Sequence, residues 1–234
     1  MKRRRNPVLA GLILSAGLFT ACSSNEIGDS KDVNQDKIYM NYHISHTEGD
    51  ENVDISCQFR FAGNNGTTLV LSDGSEVELD GEKLKVDSST GGGAYYNICK
   101  PVSGFYGKHT IRFTNTSGKQ FDNEFTYSPF SIANSNMEAD RTKDLRISYR
   151  SAPLTEEDYV EVYSSGTDSS FHYSQDGPDS NMLIPSKELT RQKGKTLSLE
   201  CKLYREIDLQ QSASEGGVIR IQQGLKAIKI KLLP

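Results

Sequence analysis

Few residues in this chain have the type and spacing that chemistry requires. The 234 residues include four His. His43 and His46 are three apart, so on an extended strand they point to opposite faces, whereas a metal ion needs its ligands to converge. Glu48, Asp50 and Glu51 follow them, as in a solvated acidic loop. Asp176-Gly177-Pro178-Asp179-Ser180-Asn181 gathers oxygen donors in a turn, without the spacing that wraps a calcium ion in an EF-hand. Glu156-Glu157-Asp158 sets carboxylates side by side, but adjacent acids at the start of a helical turn serve its dipole and its caps. The sequence holds no Gly-x-Ser-x-Gly elbow, phosphate-binding glycine loop, dinucleotide fingerprint or His-Glu-x-x-His. No catalytic residue, metal or cofactor is expected, and the chain reads as a non-enzyme.

Aromatic ring faces offer a different chemistry, that of stacking against a ligand. Tyr95-Tyr96 follows Gly91-Gly92-Gly93, and Phe105-Tyr106 sits between Gly104 and Gly107. Adjacent residues on a strand face opposite ways, so one of each pair belongs in a core and the other is a possible ligand contact. Trp is 0 and Tyr is 11. The usual sugar-stacking platform is therefore absent, and Tyr would have to serve.

The elements that position these residues begin after a targeting segment. Lys2, Arg3, Arg4 and Arg5 form a basic start, and Val8 to Phe19 form an apolar stretch of signal-peptide length. That stretch is shorter than the roughly 20 apolar residues that span a bilayer. Leu18-Phe19-Thr20-Ala21-Cys22 resembles the lipobox of bacterial lipoproteins. The resemblance implies cleavage before Cys22 and a diacylglycerol on its thiol. Ser23 to Asp36 is polar and reads as a flexible tether over 22–36. Removing residues 1–21 takes four of the 27 basic residues and none of the 31 acidic ones, so the mild −4 of the whole chain becomes −8 for the body. Such a charge weighs against nucleic acid as a partner and leaves anchoring to the lipid.

From Lys37 onward the hydrophobic period is two. In Val53-Asp54-Ile55-Ser56-Cys57-Gln58-Phe59-Arg60-Phe61 the odd positions are apolar and the even ones polar, as in a half-buried antiparallel strand. Similar stretches recur every 8–12 residues, and Asp73-Gly74, Asp80-Gly81 and Ser117-Gly118 supply hairpin chemistry. Thr196–Glu206 and Ala227–Leu232 alternate in the same way. Only Pro153–Glu157 and Pro185–Leu189 invite a helical turn. The pattern predicts an all-β chain of two tandem sandwiches, over 37–129 and 130–234.

With its lipobox, the Thr67–Leu71 to Gly81–Leu84 hairpin region, Gly104–Thr110 and Pro153–Val160, the chain resembles the two-domain, immunoglobulin-like lipoproteins common in Bacteroidota. That resemblance implies a body lipid-anchored to the bacterial outer membrane, and it implies no enzymatic activity. Its partner would be an envelope protein, for which the chain would act as a structural or accessory module. The alternative is a glycan or other ligand bound through exposed Tyr of the first domain. The resemblance also raises a disulfide between Cys57 and Cys99, 42 residues apart, against the simpler reading of two small buried apolar side chains. Cys201 lies on an apolar face and reads as core.

Overall fold

The structure is a computed structural model that describes residues 27–89, 92–133, 137–164 and 169–234. The signal peptide, the lipobox with Cys22, and Gly91 of the glycine triplet lie outside these residues.

The chain is all-β. The first half forms β1 (Ile27–Asp29), β2 (Ile38–Thr47), β3 (Asn52–Phe61), β4 (Thr67–Val70), β5 (Glu76–Leu79) and β6 (Glu82–Lys83). It continues with β7 (Lys85–Ser89), β8 (Gly93–Pro101), β9 (Gly107–Thr114) and β10 (Gln120–Tyr127). The second half forms β11 (Ser131–Ile132), β12 (Glu138–Asp140), β13 (Leu145–Arg150), β14 (Tyr159–Ser164) and β15 (His172–Asp176). It ends with β16 (Asn181–Ile184), β17 (Thr196–Asp208), β18 (Gly217–Gly224) and β19 (Ile228–Leu233). One short helix, α1 (Ser186–Arg191), forms where Pro185 opens a helical turn. Pro153–Glu157, the other expected turn of helix, is not helical.

Alternation translates directly into burial. Val53, Ile55, Cys57 and Phe59 of β3 are fully buried, while Ser56, Gln58 and Arg60 between them reach solvent. Asp73-Gly74 and Asp80-Gly81 both take left-handed backbone (φ 49° and 82°, then 51° and 82°), the conformation that lets a tight hairpin follow the strand twist.

Two cores result. In the first, the sheet β10-β9-β5-β6 covers one side of β2, β3 and β18. Phe59 lies at its centre, with Phe113 at 4.5 Å between ring centroids and Tyr42 and Tyr96 meeting it edge-on. In the second, β13 and β16 face β14, β17 and β19 through Ile147, Ile184, Val160, Val162, Leu199 and Ile230.

These cores are not two independent beads. A single sheet, β1-β4-β3-β2-β18-β17-β14-β15, supplies one layer to both. Strand β17 pairs with β19 through Thr196–Leu199, with β14 through Leu199–Tyr204 and with β18 through Lys202–Asp208. Its Leu197, Leu199, Cys201 and Leu203 enter the second core and its Ile207 packs on the first. Strand β18 then returns Ile219 and Ile221 to the first core and Leu225 just beyond it to the second. The ladder that joins the halves is the parallel pairing of β18 with β2, from Gly217↔Met40 to Gly224↔Thr47. A Cβ at position 217 would overlap the Met40 carbonyl oxygen, so glycine is what admits β18 to this place.

Three expectations change here. The division at 129/130 does not separate the cores, because residues 207–221 complete the first one. The ladders are not all antiparallel: β1–β4, β2–β18 and β12–β19 are parallel. Finally, the stretch expected as tether is structured from Ile27 on. Ile27–Asp29 pairs with Thr68–Val70. Ser30 is fully buried, and its hydroxyl accepts from the Ser72 amide at 3.0 Å. The Gln35 side-chain amide donates to the carbonyls of Ser30 and Val33, and Val33 packs on the first core. A polar segment is held here by side-chain-to-backbone hydrogen bonds, which apolar content does not register.

Candidate ligand-binding face

The shared sheet buries one side and presents the other to solvent. Residues directly opposite each other on neighbouring strands share a side, so the register spells out the outer face. One row reads Cys99, Asp54, Ser45, Gln222, Tyr204, Tyr159 and Asp176, one residue from each of β8, β3, β2, β18, β17, β14 and β15. The adjacent row reads Asn97, Ser56, His43, Arg220 and Glu206. Six inter-strand spacings of about 4.8 Å make the row roughly 30 Å long. Each strand is turned about 20–25° from the last, so the face winds and becomes concave in places.

Two concavities lie side by side on it. The larger, of about 500 Å³, is lined by Asn41, His43, Gln58, Arg60, Tyr95 and Arg220, with Ser56 and Gly92. The smaller, of about 210 Å³, is lined by Tyr159, Tyr204, Glu206 and Gln222, and shares His43 and Arg220 with the first. Hydrogen bonds fix the lining groups. The Gln58 side-chain amide donates to the carbonyls of Gly92 (2.6 Å) and Ala94 (3.2 Å), and its oxygen accepts from Arg60 Nε at 2.9 Å. Arg60 Nη1 donates to the Gly66 carbonyl at 3.1 Å. Arg220 donates through Nε to Glu206 at 2.7 Å and through Nη1 to Asn41 at 3.0 Å. Burial and the neighbouring Arg220 hold the His43 ring below the ordinary histidine range, so it stands neutral beside the guanidinium.

Aromatic rings continue the face. Tyr159 and Tyr204 stack with centroids 4.7 Å apart and planes 14° apart. Tyr163 stacks on His172 at 4.5 Å, with Lys202 Nζ 5.5 Å from the Tyr163 ring centroid. The Tyr163 hydroxyl donates to Glu161. Flat ring faces interleaved with amide, guanidinium and hydroxyl groups can stack against a ligand ring while holding its polar edge.

Each aromatic pair marked in the sequence divides into one buried and one exposed ring, Tyr95 and Tyr96 by the alternation of β8 and Phe105 and Tyr106 in the turn before β9. Tyr96 and Phe105 are buried, the first with its hydroxyl oxygen accepting from the Leu71 amide at 2.6 Å, the second stacking on His109. Tyr95 and Tyr106 reach solvent. They do not meet: Tyr95 lines the larger concavity, whereas Tyr106 lies just before β9 of the opposite sheet and stacks on Tyr127. His43 drew attention in the sequence only as a metal ligand, and Tyr159, Tyr163, Tyr204, Arg60 and Arg220 were not marked as ligand contacts there. A signal for two of them was present, since Tyr159-Val160-Glu161-Val162-Tyr163 puts Tyr on the solvent side of a stretch whose other side is Val160 and Val162.

The possible disulfide does not form, and only Cys57 of the pair is a buried side chain. Cys57 is fully buried in the first core, while Cys99 stands exposed on the outer face with its thiol 2.9 Å from Asp54. A sheet separates the two sulfurs, and their Cβ vectors diverge, which no bridge tolerates. Cys201 is buried in the second core, as expected. His46 is spent on the Asp50 carbonyl at 3.2 Å, and Asp176–Asn181 forms the β15–β16 turn. Among the described residues, no group of three or more His, Cys, Asp or Glu could hold a metal ion. Two His–carboxylate pairs occur among the described residues: His172 Nε2 lies 3.3 Å from Glu161 on the outer face, and on the other sheet His109 Nδ1 lies 2.7 Å from Asp80 and Nε2 2.7 Å from the Phe105 carbonyl. Both His109 ring nitrogens are occupied by protein oxygens, so the His109–Asp80 pair holds the Phe105 loop. Compared with known family models and with curated proteins, the chain matches none.

Proposed function

We propose that this protein is a lipid-anchored, non-catalytic binding module of the bacterial outer membrane. Its ligand is an extended glycan lying along the outer face of β8-β3-β2-β18-β17-β14-β15. The observation that carries this reading is the run of Tyr95, Tyr204, Tyr159 and Tyr163 with Gln58, Asn41, His43 and Arg220 on one continuous face across both cores. Ring faces with planar polar groups between them suit a ligand of apolar ring faces and hydroxylated edges.

The anchor is Cys22, on the strength of the lipobox. Five residue steps separate it from Ile27, a reach of at most about 18 Å, so an acylated Cys22 keeps the body close to the bilayer. The net −8 of the body gives it no electrostatic attraction to an anionic leaflet, and the acyl chains supply the retention.

A glycan panel probed with the full-length protein in detergent tests the binding role. Retention of a subset of glycans, lost on Tyr204→Ala, is the expected result. Silence across the panel, with a defined envelope protein recovered by cross-linking in cells, assigns the accessory role instead.

A further inference from the structure

The larger concavity has a chemical character that narrows the ligand. The body is acidic, yet among the described residues that line this hollow none is a carboxylate; its charged members are Arg60 and Arg220, and His43 beside them is neutral. Arg220 is balanced by Glu206. Arg60 has no carboxylate partner among the described residues: its bonds are to the Gln58 side-chain oxygen and the Gly66 carbonyl, both neutral. These bonds occupy Nε and Nη1 and fix the guanidinium plane. Asn41, which holds Arg220, stands directly opposite Gln58, which holds Arg60, on the paired strands β2 and β3. Two oriented guanidinium groups thus flank one hollow, with Tyr95 at its side and the stacked Tyr159 and Tyr204 beyond Arg220.

We infer that this hollow binds an acidic sugar unit, carried on an otherwise neutral chain that continues over Tyr204 and Tyr159. This rests on the glycan reading above and adds the anionic group to it. An oriented guanidinium recognises a planar carboxylate or a sulfate ester through charge-assisted hydrogen bonds. The acid is a single unit because the −8 body repels a polyanion, while one charge beside Arg60 sits within a Debye length of about 8 Å and gains from the local field.

The test uses the full-length protein in detergent and matched glycan sets. Each set holds one oligosaccharide with a single uronic acid, the same molecule with that carboxyl reduced, and a counterpart bearing one sulfate. The inference expects at least about tenfold tighter binding of a charged member than of its reduced partner, erased by Arg60→Gln and weakened by salt. Tyr204→Ala, in contrast, weakens charged and reduced members alike. Preference for the uronate or for the sulfate identifies which anion the hollow takes. Equal binding of charged and reduced members, unaffected by Arg60→Gln, overturns the acidic-sugar inference and leaves the glycan reading standing. No binding to any member overturns both. Binding of anionic phospholipid vesicles by the Cys22→Ala chain, with loss on Arg60→Gln and no glycan retained, assigns the hollow to membrane headgroups and overturns the inference as well.

Discussion

Tyr204 and Tyr159 stand directly opposite each other on β17 and β14, their rings parallel to within 14° at 4.7 Å, on the side of the sheet away from both cores. Leu203, the next residue, points the other way into the second core, and on the adjacent strand β18 Arg220 lines the larger concavity. The stack therefore lies where the second core hands over to the first. A face continuous across that junction requires β17 and β18 to be continuous across it, and they are.

The shared strands make the first core dependent on the far end of the chain. Ile207, Ile219 and Ile221 all pack in or on it. A fragment ending at residue 129 loses these side chains and exposes the β2 edge that β18 covers. Such a fragment is expected to show no cooperative urea transition by circular dichroism, whereas the whole chain does. A cooperative transition in the fragment would mean that the first core closes without β18.

Phe59 touches three aromatic rings at the centre of that core, and Arg60 beside it faces solvent. Phe59→Ala should lower unfolding free energy by about 3–5 kcal/mol, and Arg60→Ala by less than about 1 kcal/mol. Denaturant titration of both variants checks the contrast, and equal losses would contradict the register of β3.

The cysteines separate by reactivity. Burial pushes the Cys57 thiol well above the ordinary range and Cys201 up to about 12. Cys99 is exposed, its thiol raised by the hydrogen bond to Asp54. Maleimide should label one thiol in the native full-length protein and three after unfolding, read by intact mass. A fourth adduct would show that Cys22 carries no thioether-linked lipid.

Asp140 provides a pH signature. Its carboxylate accepts from the Thr142 hydroxyl at 2.7 Å and the Thr142 amide at 2.9 Å, with Lys143 at 3.1 Å, and these hold its pKa at about 2. The folded value lies below the unfolded one of about 3.9. Its contribution is therefore complete above pH 4 and is lost as pH falls through 2. The urea midpoint of Asp140→Asn should lie below that of the parent chain at pH 5 and converge with it toward pH 2. A constant gap across that range would assign the loss to something other than the carboxylate's charge.

How much of this could be read beforehand depends on distance along the chain. Alternation within Val53–Phe61 fixed which side chains are buried because the period of a strand is a local property. It also carried the split of Tyr95 from Tyr96. The pairing of Gly217–Gly224 with Met40–Thr47 joins segments about 177 residues apart, and no local pattern encodes a partner at that separation. The same limit misled the cysteines. A spacing of 42 suits a bridge between facing sheets, but Cys57 and Cys99 lie on adjacent strands of one sheet and on opposite sides of it. Parity with the buried Tyr96 places Cys99 outward, a relation visible once β8 is known to be a single strand. The ordered stretch from Ile27 escaped for another reason, since apart from Val33 its contacts are hydrogen bonds, with Ser30 and Asp29 accepting from Ser72 and Gln35 donating to the Ser30 carbonyl.

The outer face as the binding surface is tested most directly by affinity. For the tightest glycan on the panel, dissociation constants are measured by calorimetry for the full-length protein and for Tyr95→Ala, Tyr204→Ala and Tyr106→Ala, each checked for native circular dichroism. Tyr95→Ala and Tyr204→Ala should each weaken binding about tenfold or more, and Tyr106→Ala, on the opposite sheet, should leave it unchanged. Loss of binding in Tyr106→Ala with affinity retained in the other two would contradict the assignment.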